Sequence, residues 1–281
     1  MPVSWPITVA VFVVGLAIGS FLNVVIYRLP RCESIVRSRS RCLSCGTRLG
    51  ILDLIPVLSY IVSGGKCRHC GRPYSPRYMI VELMTGVLAV ASLFIIGPNL
   101  YAATVFILSC MLIVIFFIDI DWLIIPDELV AGMIVIGLAL NAVAISRAET
   151  GSLVHFREQL GYATTHTVPL PSGIVGMLVG AALFYAVGWT FERILNKPSL
   201  GGGDVKLAAA MGAILGPGYQ FLSFFLYAVF AGAIIGLVML AVTAKSERQS
   251  YIPFGPMLAA SGIAMLLFPQ ELTGFVIGIY S

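Results

Sequence analysis

Phe116-Phe117-Ile118-Asp119-Ile120-Asp121-Trp122-Leu123-Ile124-Ile125-Pro126-Asp127-Glu128 places four carboxylates at the join of two long apolar segments, in a chain with only 13 Asp and Glu. An ionised carboxylate at or near bilayer depth is costly, so a cluster of them reads as a functional site whose partner must be found. The best partner lies far downstream, at Asp204 in Gly201-Gly202-Gly203-Asp204.

The surroundings of this stretch set the class. Hydrophobic residues make up 59% of the 281 positions and charged residues 11%, a balance that ordinary water-soluble domains do not show. The chain reads as an all-α polytopic membrane protein embedded in a lipid bilayer. Apolar runs long enough to act as spans fall near 7–27, 79–97, 101–118, 128–146, 171–191, 205–216, 219–243 and 256–279, about eight transmembrane helices in all. The run 205–216 is too short to cross alone, so it is tilted, extended by its flanks, or a half-helix buried among neighbours. The first run has no basic residue before it and Arg28 and Arg31 just after, the reverse of a secretory signal, and is read as a retained span.

Charge sets the orientation. Ten of the 17 Lys and Arg fall between Arg28 and Arg77, and positive residues accumulate in short cytoplasmic loops. That segment is therefore expected in the cytoplasm, with the N-terminus outside. The same topology puts Arg193, Lys197, Lys206, Lys245 and Arg248 inside and leaves only Arg147 and Arg157 outside. Asp119 and Asp204, 85 positions apart, then meet at the cytoplasmic face. The division expected is a first span within 1–29, a cytoplasmic cysteine loop over 30–78, and a membrane core over 79–281 that includes an outer stretch at 147–169. His155, His166, Glu149 and Glu158 in that stretch have no ligand spacing and read as solvated surface. The net charge of +4 describes topology, and no nucleic-acid-reading module is present.

Cys42-Leu43-Ser44-Cys45 and Cys67-Arg68-His69-Cys70 are two CxxC pairs separated by 21 residues, close to the spacing of a tetrathiolate zinc site. Gly46 and Gly71 follow the pairs and permit the backbone turn of a knuckle. Four thiolates saturate tetrahedral Zn²⁺, so an ion there folds the loop and leaves no open position for chemistry. A cytoplasmic loop disfavours the alternative of stable disulfides. Cys32 and Cys110 have no comparable spacing.

Two carboxylates can hydrolyse a peptide bond when one accepts a proton from water while the other, protonated, polarises the carbonyl. One Asp from each of two distant segments suits that division of roles. Gly201, Gly202 and Gly203 can unwind the backbone beside Asp204 and give an extended substrate room.

Gly19-Ser20-Phe21-Leu22-Asn23-Val24-Val25-Ile26-Tyr27-Arg28-Leu29-Pro30, the paired CxxC loop, Asp119 seven residues before Pro126-Asp127, and Gly201-Gly202-Gly203-Asp204-Val205-Lys206 follow in order through nearly the whole chain. In these features the chain resembles the prepilin peptidase (type IV leader peptidase) family, GxGD-type intramembrane aspartic proteases. The resemblance implies catalysis by Asp119 and Asp204, with Asp121 the rival for the first role. It implies an enzyme of the bacterial inner membrane that cleaves the basic leader from type IV prepilins or pseudopilins at the cytoplasmic face. The long cysteine loop belongs to members that also methylate the new N-terminus with S-adenosyl-L-methionine. No glycine-rich nucleotide motif accompanies that second activity here. The first pair also lacks the proline that commonly follows its first cysteine in the family.

Several residues keep two readings at this stage. Asp121 and Asp127 are supporting or helix-capping groups, Asp127 standing with Glu128 at a helix start. Asp119 itself has the simpler reading of a carboxylate paired to Lys206 or Arg28. Asn23, Tyr27 and Arg28 either bond across helices or contact substrate. Glu82 either neutralises a basic leader or pairs with Arg77. A different class of protein, an ion-coupled transporter, also sets aspartates beside broken glycine-rich helices, but it places them near the midplane in internal repeats, and no repeat is evident here. A non-enzymatic assembly subunit with a zinc-bound partner loop is the third reading, and it would tolerate loss of both aspartates.

Overall fold

The computed structural model describes residues 4–37, 39–147, 172–195, 200–242 and 253–280. Most of the stretch expected as an outer loop, with His155 and His166, lies outside the described residues. The described chain is helical, with two isolated antiparallel bridges and no strands. Its helices are α1 (Trp5–Arg28), α2 (Leu58–Ser63), α3 (Arg77–Ile96), α4 (Leu100–Trp122), α5 (Asp127–Arg147), α6 (Ser172–Leu195), α7 (Gly202–Leu215), α8 (Tyr219–Val242), α9 (Gly255–Leu267) and α10 (Pro269–Tyr280). Five helices, α1, α3, α4, α6 and α8, are long and apolar enough to cross a membrane, and α9 with α10 makes a sixth candidate if the pair is one span. The protein is thus an all-α, multi-pass membrane protein.

Two expected runs take forms worth stating. The last, 256–279, is not one straight helix: it breaks at Phe268 before Pro269 and turns by 104° between α9 and α10. Pro269 has no N–H to continue the ladder, which accounts for the break. The short run 205–216 is α7, 14 residues long, in which every residue from Leu207 to Leu215 is buried. Of the three forms open to it, α7 takes that of a half-helix enclosed by protein.

The chain divides into two compact units, 1–114 and 115–281. In the first, α1 lies along α3 at very short range. A Cβ added at Gly15 would stand 2.8 Å from the Gly86 Cα, and one at Gly19 2.7 Å from the Glu82 Cα. Gly15 and Gly19 are four apart, the spacing that lets membrane helices touch backbone to backbone. This approach sets Asn23 against the start of α3, where its Nδ2 donates to the Tyr78 carbonyl at 3.0 Å.

In the second unit, α7 is gripped the same way. Gly176 of α6 and Gly212 of α7 meet with no space for a side chain on either, and Gly180 lies against the Ala208 carbonyl. Gly137 of α5 packs on Ala213 and Ile214. Without a hydrophobic driving force between helices in lipid, such close contacts carry the association. Large apolar side chains on the outward face of α8, such as Val229, Phe230, Ile234 and Leu237, are exposed, as a lipid-facing surface requires.

The Gly176 to Gly212 contact yields a test. Gly212→Val forces a side chain into backbone, so the protein in detergent is expected to lose about 2 kcal/mol or more of stability, read as a fall in melting temperature. Gly218→Ala, where an added Cβ has no neighbour within 4 Å, is expected to leave the melting temperature nearly unchanged.

Candidate active site

The acidic stretch closes α4 and opens α5. The Leu123 N–H donates to the Asp119 carbonyl at 2.9 Å, and Leu123 sits at φ 55°, a left-handed conformation that ends the helix. Pro126 precedes α5, whose first turn carries Asp127 and Glu128. This tight reversal separates the acids by environment. Asp119 is 6% exposed, whereas Asp121, Asp127 and Glu128 all lie on the exposed side of the turn.

Asp119 is held by an element that sequence reasoning did not single out. The Gly255 N–H donates to Asp119 Oδ2 at 3.1 Å, at the first residue of α9. The first N–H groups of a helix have no partner within it, and the positive end of the helix favours an anion. A Cβ at Gly255 would come within 2.6 Å of Asp119 Oδ2, so only glycine leaves the carboxylate its place. The signal available was Phe254-Gly255-Pro256, a glycine before a proline after a polar stretch, which reads only as a helix start.

Asp204 is the third residue of α7 and is 8% exposed. Its Oδ2 accepts the Gly201 N–H at 3.1 Å, folding back on the backbone that precedes the helix. An acid at this position ordinarily caps a helix in water. Here it is buried, and Asp119 is near enough for its charge to act on Asp204. Gly203 lies against Ile125, 3.0 Å from where its Cβ would be, so the glycine loop packs directly on the acidic turn. Gly201 and Gly202 are exposed, and Gly202 has nothing within 4 Å of an added Cβ. Lys206 Nζ donates to both oxygens of Asp127, at 2.8 and 3.0 Å, an exposed pair tying α7 to α5.

In the first unit the remaining expected residues have separate tasks. Arg28 Nη1 donates to the carbonyls of Ser34 and Ile35 at 3.0 and 3.2 Å, closing the chain after α1. Glu82 Oε2 accepts the Val57 N–H at 2.8 Å and fixes that residue at φ 62°, a strained value for a β-branched side chain. Of the two readings of Arg28 and Asn23, bonding to neighbouring backbone is what the structure displays.

The Sγ atoms of Cys42, Cys45, Cys67 and Cys70 lie within 4.8 Å of one another, with Cys42 and Cys70 3.9 Å apart. Tetrahedral Zn–S bonds of about 2.3 Å put sulfurs about 3.8 Å apart, so these residues fit the ion. The two halves are built alike. The Cys42 N–H donates to the Thr47 carbonyl and the Cys67 N–H to the Arg72 carbonyl, each at 2.9 Å, while Gly46 and Gly71 turn at φ 72° and 68°. The Cys45 Sγ lies 3.3 Å from Thr47 Oγ1, within hydrogen-bond distance.

Residues 13–96 match the model of the bacterial peptidase A24 N-terminal domain, and residues 106–237 match that of the type IV leader peptidase family. The chain belongs to the type IV leader peptidase family. The cysteine cluster falls in the first matched region and both buried aspartates in the second. A prepilin leader peptidase/N-methyltransferase of Burkholderia pseudomallei (strain 1026b) is 32% identical over 91% of this chain and 84% of its own. A protein of the same description from Aeromonas salmonicida (strain A449) is 32% identical over 94% of this chain and 91% of its own. Another from Myxococcus xanthus (strain DK1622) is 37% identical over 86% of this chain and 66% of its own. No solved structure matches the chain significantly.

Proposed function

We propose that the protein is a prepilin leader peptidase that also methylates the N-terminus it exposes, with Asp119 and Asp204 as its catalytic pair. The observation that carries this reading is the pair itself: two buried carboxylates, close enough to interact, each with one oxygen fixed by a backbone N–H. Asp119 is preferred to Asp121 because Asp121 lies on the exposed side of the turn. The family and the names of the relatives supply the substrate class, and membership of a peptidase family sets the transporter reading aside.

Two neighbouring carboxylates resist ionising together, and the mechanism uses one of them ionised and the other protonated. The ionised member takes a proton from a water as the water attacks the carbonyl carbon of the scissile bond. The protonated member donates its hydrogen bond to the carbonyl oxygen as that oxygen gains charge. The proton then passes to the leaving amine as the C–N bond breaks. The oxygen of each Asp not held by a backbone N–H is the one available for these transfers. The exposed Gly201 and Gly202 leave the approach to Asp204 clear for an extended substrate.

The concentration of Lys and Arg between Arg28 and Arg77 supports a cytoplasmic cysteine loop and a cytoplasmic peptidase site, in the inner membrane of a bacterium. The cysteines would hold Zn²⁺ as a structural ion that joins the two knuckles. For the second reaction, S-adenosylmethionine supplies the methyl group.

Three outcomes test this reading with purified protein and a membrane-embedded prepilin. Asp119→Asn and Asp204→Asn are each expected to reduce leader removal by roughly 10²–10⁴-fold, while Asp121→Asn keeps most of it. Full cleavage by the Asp204→Asn protein would sink the proposal. Gly255→Ala, which displaces Asp119 Oδ2, is expected to lower kcat on the order of tenfold to a hundredfold. Cys42→Ser and Cys67→Ser are expected to weaken zinc retention by about tenfold or more, measured by metal analysis after dialysis. Zinc-free protein with an unchanged melting temperature would remove the structural ion.

A further inference from the structure

The segment from Ile51 to Val62, between the two cysteine pairs, carries its apolar side chains on the outside. Ile51, Leu52, Leu54, Leu58, Ile61 and Val62 are all exposed, Ile51 by 86% and Val62 by 73%. The short helix α2 is inverted relative to one that meets water. Successive helical residues turn by about 100°, so Leu58, Ile61 and Val62 share one face and Ser59, Tyr60 and Ser63 the other. The face with the two serines is the inner one. There Ser63 Oγ lies 3.0 Å from Tyr74 Oη, and the Tyr60 ring packs edge to face on Tyr74 with centroids 5.2 Å apart. Water favours the opposite arrangement, with polar groups out and apolar groups in.

The segment is also drawn back along a membrane-spanning helix. Glu82 Oε2 accepts the Val57 N–H at 2.8 Å, and Glu82 is the sixth residue of α3, about 7.5 Å along the axis from Arg77. Helical side chains lean toward the N-terminus, so this contact stands beside the first two turns of α3 and not beyond its end. The outer side of those turns already bears an exposed Ile80. Charge points the same way. Asp53 is the only acid between Ser34 and Val81, a stretch with eight Lys and Arg, and Arg68 faces it at 3.4 Å. An apolar face flanked by cations matches a bilayer with a negative surface, where apolar side chains enter the edge of the acyl region and cations meet anionic headgroups.

We propose that residues 51–62 are a membrane-seated segment that dips into the headgroup–acyl boundary of an anionic leaflet and holds the cysteine knuckles at the bilayer surface. Glu82 is its anchor, tying Val57 at that depth. The inference concerns only how the loop is seated and does not depend on the reactions proposed above.

The test uses the full chain reconstituted in vesicles of phosphatidylethanolamine and phosphatidylglycerol, with Trp5, Trp122 and Trp189 replaced by Phe so that one introduced tryptophan reports. Leu52→Trp and Ile61→Trp are expected to show blue-shifted emission. Each should be quenched more by lipid brominated near the headgroup end of its acyl chains than by lipid brominated near the methyl end. Ser44→Trp, on the first knuckle, is expected to stay unquenched. Replacing Ile61 and Val62 together by Asp is expected to lower the quenching of Leu52→Trp about threefold or more. Omitting phosphatidylglycerol is expected to lower it about twofold. Absence of quenching at both Leu52→Trp and Ile61→Trp, or equal quenching at Ser44→Trp, overturns the proposal. Reporters that lipid leaves unquenched, but whose emission shifts with added membrane-embedded prepilin or with rising protein concentration, assign the patch to a protein partner and overturn it as well. Quenching unchanged without phosphatidylglycerol overturns the role given to the cations. If the protein with Ile61→Asp and Val62→Asp loses its melting transition, the quenching of the two reporters in the otherwise unaltered loop decides.

Discussion

The contact between the Gly255 N–H and the Asp119 carboxylate settles two problems with one hydrogen bond. The first turn of a helix in apolar surroundings has N–H groups that nothing within the helix can accept, and a buried carboxylate needs a donor or a positive end. Asp119 and α9 each supply what the other lacks, and glycine at 255 is the only residue that leaves room. Asp204 repeats the solution with the Gly201 N–H. Both acids are thereby kept inside the protein without an ion-pair partner among the contacts described.

Everything around that pair is arranged by small residues. α7 carries Asp204 on a 14-residue helix buried from Leu207 to Leu215, where Gly137, Gly176 and Gly180 let α5 and α6 come up to its backbone. The position of Asp204 is therefore set by helix contact, while Gly201 and Gly202 stay exposed. The same device in the first unit, Gly15 and Gly19 against α3, fixes the floor on which the cysteine knuckles stand. Tight helix contact is the common structural currency of the two units, although the chemistry proposed for each differs.

Glu82 shows how a single polar group in such a frame serves a loop outside the helices. Its carboxylate accepts the Val57 N–H and so holds a residue at φ 62°, while the side chain itself stays buried. Sequence left two readings for Glu82, leader neutralisation or pairing with Arg77, and did not choose between them. In the structure its side chain is buried and bonds the backbone of the loop that carries the cysteines.

The sequence by itself determined the class of the protein, the places of its apolar runs, the tetrathiolate spacing with its turn glycines, and the two segments that bear the acids. Each of these is written in local chemistry: hydropathy sustained over a span, a CxxC followed by glycine, a carboxylate where few are tolerated. Among the acids of that stretch the resemblance pointed to Asp119 with Asp121 as its rival, but their different burial was not legible, because two positions on one helix end differ only in what stands opposite them. Gly255 stands 136 positions further on, and only tertiary structure brings its N–H to Asp119. The burial of α7 and the break at Phe268 are likewise products of packing. A glycine records that something can come close; the folded chain decides what does.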